Sequence, residues 1–162
     1  MGTPKPLEVG DHAPMFAFRE VEGNGAIDRH LGDGESFYLL FFYPKDATPG
    51  CTKEVCAFRD SWQRLRALGV EIVGVSGDTE LSHERFTKKH DLPFPLIADT
   101  DLSLCKSYGV YGEKKFMGKI YNGIHRMSFL IGADQKIIKT YTKVKPETHP
   151  EQVITDINER TQ

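Results

Sequence analysis

The chain has 162 residues and a mass of 18.3 kDa, the size of one compact domain with little room for a second. Apolar residues make up 39% and charged residues 27%, the balance of a chain that folds unaided rather than of a disordered or fibrous one. Lys plus Arg is 21 and Asp plus Glu is 23, a formal charge of −2 with both signs scattered, which argues against nucleic-acid binding through a basic field.

The longest apolar run, Phe37 to Tyr43, is 7 residues, whereas a membrane-spanning helix needs about 20. Met1 to Asp11 holds two prolines and no apolar stretch of signal-peptide type. Cys51, Cys56 and Cys105 are an odd number, too few for a stapled secreted scaffold. A cytoplasmic protein with reduced, redox-competent thiols is the expectation.

The opening is extended and turn-rich, with Pro4, Pro6, Pro14, Gly23, Gly25, Gly32 and Gly34. Phe37 to Tyr43 follows as a central strand buried on both faces. Pro44 stops it, a loop runs from Lys45 to Gly50, and Val55, Phe58, Trp62 and Leu65 recur at helical spacing until Gly69. Val70 to Ser76 reads as a second buried strand, and Asp78 or Thr79 caps a polar helix to His90. Pro95 to Ala98 forms a brief strand and Asp101 to Tyr108 a short helix. Arg126 to Ile131 and Lys136 to Val144 flank the turn Gly132 to Gln135 as a hairpin. Thr148 and Glu151 have capping-box spacing before a closing helix with Val153, Ile154 and Ile157 on one face. This order predicts an α/β domain spanning 1–162, a mixed central sheet flanked by helices, in the layout of thioredoxin-like proteins.

Pro44 to Cys51 carries the chain from the central strand into the first turn of the amphipathic helix. Unpaired backbone N–H groups and the positive end of the helix dipole there favour a thiolate, which is the nucleophilic form. At about 100° per residue, Cys51 falls within the stripe of Val55 and Phe58, so it faces inward, partly shielded. An inert buried cysteine has the same pattern. Thr48 has a hydroxyl that can donate to a thiolate or to a substrate oxygen, or can simply close a turn. Pro44 and Pro49 stiffen the loop, which also holds a reactive group in place.

Pro44, Thr48 and Cys51 together form PxxxTxxC, and at this point the sequence resembles the peroxiredoxins. The stretch Phe42 to Glu54 and the segments Val75-Ser-Gly-Asp78, Phe94-Pro-Leu96, Tyr111-Gly-Glu-Lys114 and Gly123 to Leu130 resemble the branch called bacterioferritin comigratory protein or peroxiredoxin Q. The resemblance covers nearly the whole chain. It implies a peroxidase without haem, metal or flavin, in which the Cys51 thiolate attacks the O–O bond of hydrogen peroxide or an organic hydroperoxide and becomes a sulfenic acid. By motif position Thr48 orients the peroxide, Pro44 shields the thiolate, and Arg126 is the active-site arginine. A cation beside Cys51 would favour the thiolate and the charge on the leaving oxygen, although an arginine at a strand start is by itself more often a surface charge. Glu54, one turn after Cys51, is a secondary candidate as the anchor of Arg126, with a solvated helix residue as the alternative.

A sulfenic acid returns to a thiol through a disulfide. Some members of the branch carry the resolving cysteine five residues on, which selects Cys56. Leu81 to His90, where other members carry it, has no cysteine, and Cys105 reads as a core thiol. Five helical residues place two Cα atoms roughly 8.6 Å apart, beyond the disulfide limit of about 7 Å, so resolution by Cys56 requires the helix to unwind. The family implies thioredoxin as reductant, with glutaredoxin as the alternative, and a monomer is expected.

The competing functions are a thioredoxin-like dithiol exchanger, which lacks its CxxC, and a structural metal site built from Cys51, Cys56 and a histidine such as His83 or His125. A holdase role on the same fold is compatible with either. Gly23-Asn-Gly25 and Gly32-Asp-Gly34 do not have the form of a phosphate loop, so no nucleotide cofactor is expected.

Overall fold

The computed structural model describes residues 2–22, 25–32 and 36–160; the turn signals at Gly23 and Gly34 lie outside them. Phe37–Phe42 forms the central strand β3, after the strands β1 (Ala17–Glu22) and β2 (Gly25–His30). The helix α1 spans Pro49–Ala67, followed by β4 (Val70–Ser76), α2 (Glu80–His90), β5 (Leu96–Ala98) and α3 (Ser103–Ser107). The strands β6 (Tyr111–Phe116), β7 (Lys119–Ile124), β8 (Met127–Ile131) and β9 (Ile137–Tyr141) precede the closing helix α4 (His149–Arg160).

Five strands make the central sheet in the order β5-β4-β3-β8-β9. The pairs β3–β4 and β4–β5 are parallel, while β8 runs antiparallel to β3 and to β9. The period of two along β3 divides the core between the two faces. Tyr38, Leu40 and Phe42 join Val73, Val75, Phe129 and Cys105 in one apolar cluster. Leu39, Phe41 and Tyr43 join Cys51, Val55 and Phe58 of α1, Phe86 of α2 and Val153 and Ile157 of α4 in the other. The Phe58 ring stacks on Phe41 with centroids 4.7 Å apart, an arrangement worth about 1 kcal/mol beyond its area burial.

Sequence-based boundaries agree closely for α1, β4 and α2. Thr79 caps α2 by accepting a hydrogen bond from the Ser82 backbone N–H at 3.2 Å. The predicted helix over Asp101 to Tyr108 is shorter, because Leu102 has left-handed backbone (φ 62°) and the Asp99 carboxylate accepts from the N–H groups of Leu104 and Cys105 at the start of α3. Two antiparallel hairpins, β1–β2 and β6–β7, were not expected. The second turns at Met117 and Gly118, both with positive φ (52° and 80°), the conformation of a tight type I′ hairpin. No helix among the described residues is long and apolar enough to cross a membrane.

Candidate active site

The end of β3 and the start of β8 build the site between them. Antiparallel register pairs Phe42 with Met127, so Tyr43, just after β3, and Arg126, just before β8, stand at the same end of the sheet, where the loop to α1 begins. Thr48 stands at the helix N-cap with extended backbone (φ −86°, ψ 152°), and Pro49 occupies the first turn, where a missing N–H costs nothing.

Cys51 is fully buried, more enclosed than the partial shielding expected from the sequence, because its stripe packs directly against the sheet. Arg126 Nη2 donates to Cys51 Sγ at 3.3 Å, and Arg126 Nη1 donates to Glu54 Oε1 at 2.8 Å. One guanidinium thus joins the cysteine to the carboxylate a turn later, a use of its planar fork that a lysine could not copy. Glu54 is not a solvated helix residue: its side chain is fully buried, and Oε2 has no hydrogen-bond partner. Burial pushes its carboxyl up to about 7 against the opposing pull of Arg126. Desolvation acts on Arg126 too, but its side chain is partly exposed, and the attraction of Glu54 and Cys51 leaves its pKa raised. Lys114, on β6, is half-buried, donates to the Ile124 carbonyl at 2.9 Å, and is lowered by burial and then by Arg126.

Of the two roles open to Thr48, the structure shows the turn-closing one. Its hydroxyl donates to the Lys45 carbonyl at 2.8 Å, closing the loop rather than reaching the sulfur; its lone pairs can still accept. Pro44 is half-buried at the start of the same loop.

The profile of the AhpC/TSA family matches residues 9–140. The chain belongs to that family. Similar proteins include several of the Bcp and Q type. Peroxiredoxin Bcp of Escherichia coli K12 is 41% identical over 155 residues, 95% of this chain and 97% of its own. Peroxiredoxin Bcp of Bacillus subtilis 168 is 42% identical over 144 residues, covering 88% and 90%. Among solved structures, a Cys-to-Ser mutant of peroxiredoxin Q from Xylella fastidiosa aligns over 98% of this chain and 99% of its own, with a TM-score of 0.85 and 30% identity. The bacterioferritin comigratory protein of Xanthomonas campestris, studied for its alkyl peroxide reduction activity, aligns over 79% and 82% with a TM-score of 0.74 and 34% identity. The fold is thioredoxin-like and the protein is an oxidoreductase of the thiol-peroxidase kind.

In this peroxiredoxin Cys56 is half-buried on the flank of α1 beside α2, not on a solvent face, and its Sγ lies 3.7 Å from His90 Nδ1. All three cysteines are free thiols. Cys105 is buried in the opposite cluster from Cys51, and burial followed by the nearby Asp99 pushes its thiol far up. The metal site imagined from Cys51, Cys56 and a histidine is not assembled. Among the described residues, only Asp46, Asp78 and His83 bring three such ligand atoms together. His125 instead lies against the Glu113 carbonyl at 2.9 Å.

Asp46 was not singled out from sequence, yet it holds the loop. Its carboxylate accepts from Tyr43 Oη at 2.6 Å and Ser82 Oγ at 2.8 Å, and faces His83 Nδ1 at 2.7 Å. Its backbone N–H donates to Asp78 Oδ2 at 2.8 Å. His83 Nε2 lies 3.0 Å from the Ile97 carbonyl, so protein oxygens already engage both ring nitrogens. Beside this clamp Ala47 adopts left-handed backbone (φ 62°), which costs a non-glycine residue about 1 kcal/mol.

Proposed function

We propose that the protein reduces hydrogen peroxide and organic hydroperoxides in one domain spanning 1–162, with Cys51 as the peroxidatic nucleophile. The observation that carries this reading is the 3.3 Å contact from Arg126 Nη2 to Cys51 Sγ, with the same guanidinium anchored on buried Glu54. The cation favours a negative sulfur and, once the O–O bond is attacked, charge on the departing oxygen. The sulfur keeps one peroxide oxygen as a sulfenic acid, and water or an alcohol leaves after protonation. Pro44 shields the thiolate and the Thr48 hydroxyl orients the incoming peroxide, its lone pairs accepting from the peroxide O–H while it donates to Lys45. Cys56 resolves the sulfenic acid as an intramolecular disulfide, and thioredoxin reduces that disulfide in the cytoplasm. The alkyl peroxide reduction studied in the Xanthomonas relative supports the organic substrates.

Peroxide consumption with a thioredoxin-reducing system, followed by mass spectrometry of the oxidised cysteines, tests the whole sequence. Cys51→Ser is expected to consume no peroxide and keep its fold, since a hydroxyl stays protonated at neutral pH. Substantial turnover by that variant refutes the nucleophile. Turnover with glutaredoxin but not thioredoxin moves the reductant and leaves the cysteine chemistry in place.

A further inference from the structure

The resolving step needs a thiolate at Cys56, and nothing in the Arg126 site reaches it. The surroundings of Cys56 come from α2. His90, the last residue of that helix, points Nδ1 at Cys56 Sγ across 3.7 Å. The ring stands edge-on to buried Phe86, with centroids 5.1 Å apart and planes at 84°. Arg59, on α1, donates from Nη1 to the His90 carbonyl at 2.9 Å, so backbone and ring are both fixed. Burial, then the cations Lys89 and Arg59, hold the imidazole below its ordinary range, which makes it neutral at neutral pH. The remaining charges around it are Asp60, paired to Arg59 at 3.0 Å, and Asp91, which acts on Arg59 from the end of α2. Neither acidic group has a hydrogen bond to the ring. With its proton on Nε2, the ring offers Nδ1 as an acceptor to the S–H group.

We propose that His90 is the general base of the resolving step, taking the Cys56 proton as that sulfur attacks oxidised Cys51. This rests on the reading of Cys56 as the resolving thiol. Nδ1 accepts the proton, the Cys56 thiolate attacks Sγ of the Cys51 sulfenic acid, and an S–S bond forms as the S–O bond breaks. Hydroxide leaves and is protonated to water, by solvent or by the His90 imidazolium. Cys56 is oxidised and Cys51 reduced, and the peroxide step has already supplied the oxidising equivalent.

The test uses the full chain carrying Cys105→Ser, mixed with one equivalent of hydrogen peroxide and quenched over time for mass spectrometry. His90→Phe keeps a ring against Phe86 and removes the base. It is expected to form sulfenic acid at the unmodified rate and to close the disulfide about a hundredfold more slowly at pH 7, with partial rescue by added imidazole. In the unmodified protein the disulfide rate should be nearly level above the range in which the imidazole titrates and fall below it, whereas in His90→Phe it should follow the thiolate fraction and drop about tenfold per pH unit across the whole range. In a Cys51→Ser, Cys105→Ser background, iodoacetamide should alkylate Cys56 roughly tenfold more slowly once His90 is replaced. His90→Asn gives a second baseless variant if the ring change disturbs packing. Equal disulfide rates with and without His90 overturn the inference and leave Cys56 as resolver. Absence of any Cys51 to Cys56 disulfide in the unmodified protein overturns the resolver itself.

Discussion

Arg126 reaches Cys51 over a residue that has no side chain. A Cβ on Gly50 would stand 3.0 Å from Arg126 Nη2, tight enough to push the guanidinium off the sulfur. Gly50→Ala should therefore slow the peroxide step roughly tenfold in stopped-flow measurements, since misplacing a charge by tenths of an ångström weakens its hold on the transition state. Alanine is also the better helix former by about 0.5–1 kcal/mol, so the melting temperature should hold or rise. A variant as fast as the parent would mean that the arginine position is not limiting. Cys51 was legible at this scale because the loop-to-helix junction and the PxxxTxxC pattern are local. Arg126 was legible only through the family pattern, being joined to Cys51 across 75 residues by a strand register that no local spacing reveals. Glu54 borders the apolar stripe of α1, where burial depends on what lies opposite. The Asp46 clamp draws on three separate segments, so the sequence held no single signal for it.

At the scale of elements, the two proposed reactive cysteines sit in one continuous helix, Pro49–Ala67. An ideal helix holds them roughly 8.6 Å apart, so the disulfide demands that the first turns of α1 open. Phe58, buried and stacked on Phe41, bounds that opening on its C-terminal side. Amide exchange should rise on oxidation from Cys51 to Cys56 and stay protected beyond Phe58. A demonstrated Cys51 to Cys56 disulfide with unchanged protection in that segment would contradict it. The elements read correctly from sequence were those with strong periodicity: Phe37–Phe42 and Val70–Ser76 are apolar runs, and α1 carries its stripe. The hairpin β6–β7 escaped because it has no alternation to detect: Phe116, Ile120 and Tyr121 are exposed, and the turn uses Met117-Gly118 in place of the familiar Asn-Gly.

Over the whole molecule, two buried titratable groups pull stability in opposite directions. His149, buried beside Ser128 Oγ at 2.8 Å, is pushed down to about 4 by burial, against weaker upward pulls from Gln152 and Asp156. The unfolded chain protonates it near 6.5, so its stabilisation is complete above that value and is lost as pH falls towards 4. Glu54 is pushed up from 4.5 to about 7. The folded chain keeps a proton that the unfolded chain releases, so stability falls as pH rises through that window and is level above it. Each shift corresponds to about 3 kcal/mol, and between pH 4.5 and 6.5 the two slopes nearly cancel. Urea unfolding at pH 5, 6 and 7 should show Glu54→Gln gaining stability with pH relative to the parent, and His149→Gln losing it. Three parallel curves would refute the assignment.

The bound that Phe58 sets on the opening of α1 has an optical consequence. The chain has a single tryptophan, Trp62, which lies one turn beyond Phe58 with the Arg66 guanidinium 5.1 Å over its ring. An opening confined to the helix start would leave these surroundings unchanged, so the Trp62 emission is expected to stay almost constant through turnover. A fluorescence trace would register a silent enzyme during turnover, and the moving segment becomes visible only to a label placed ahead of Cys56.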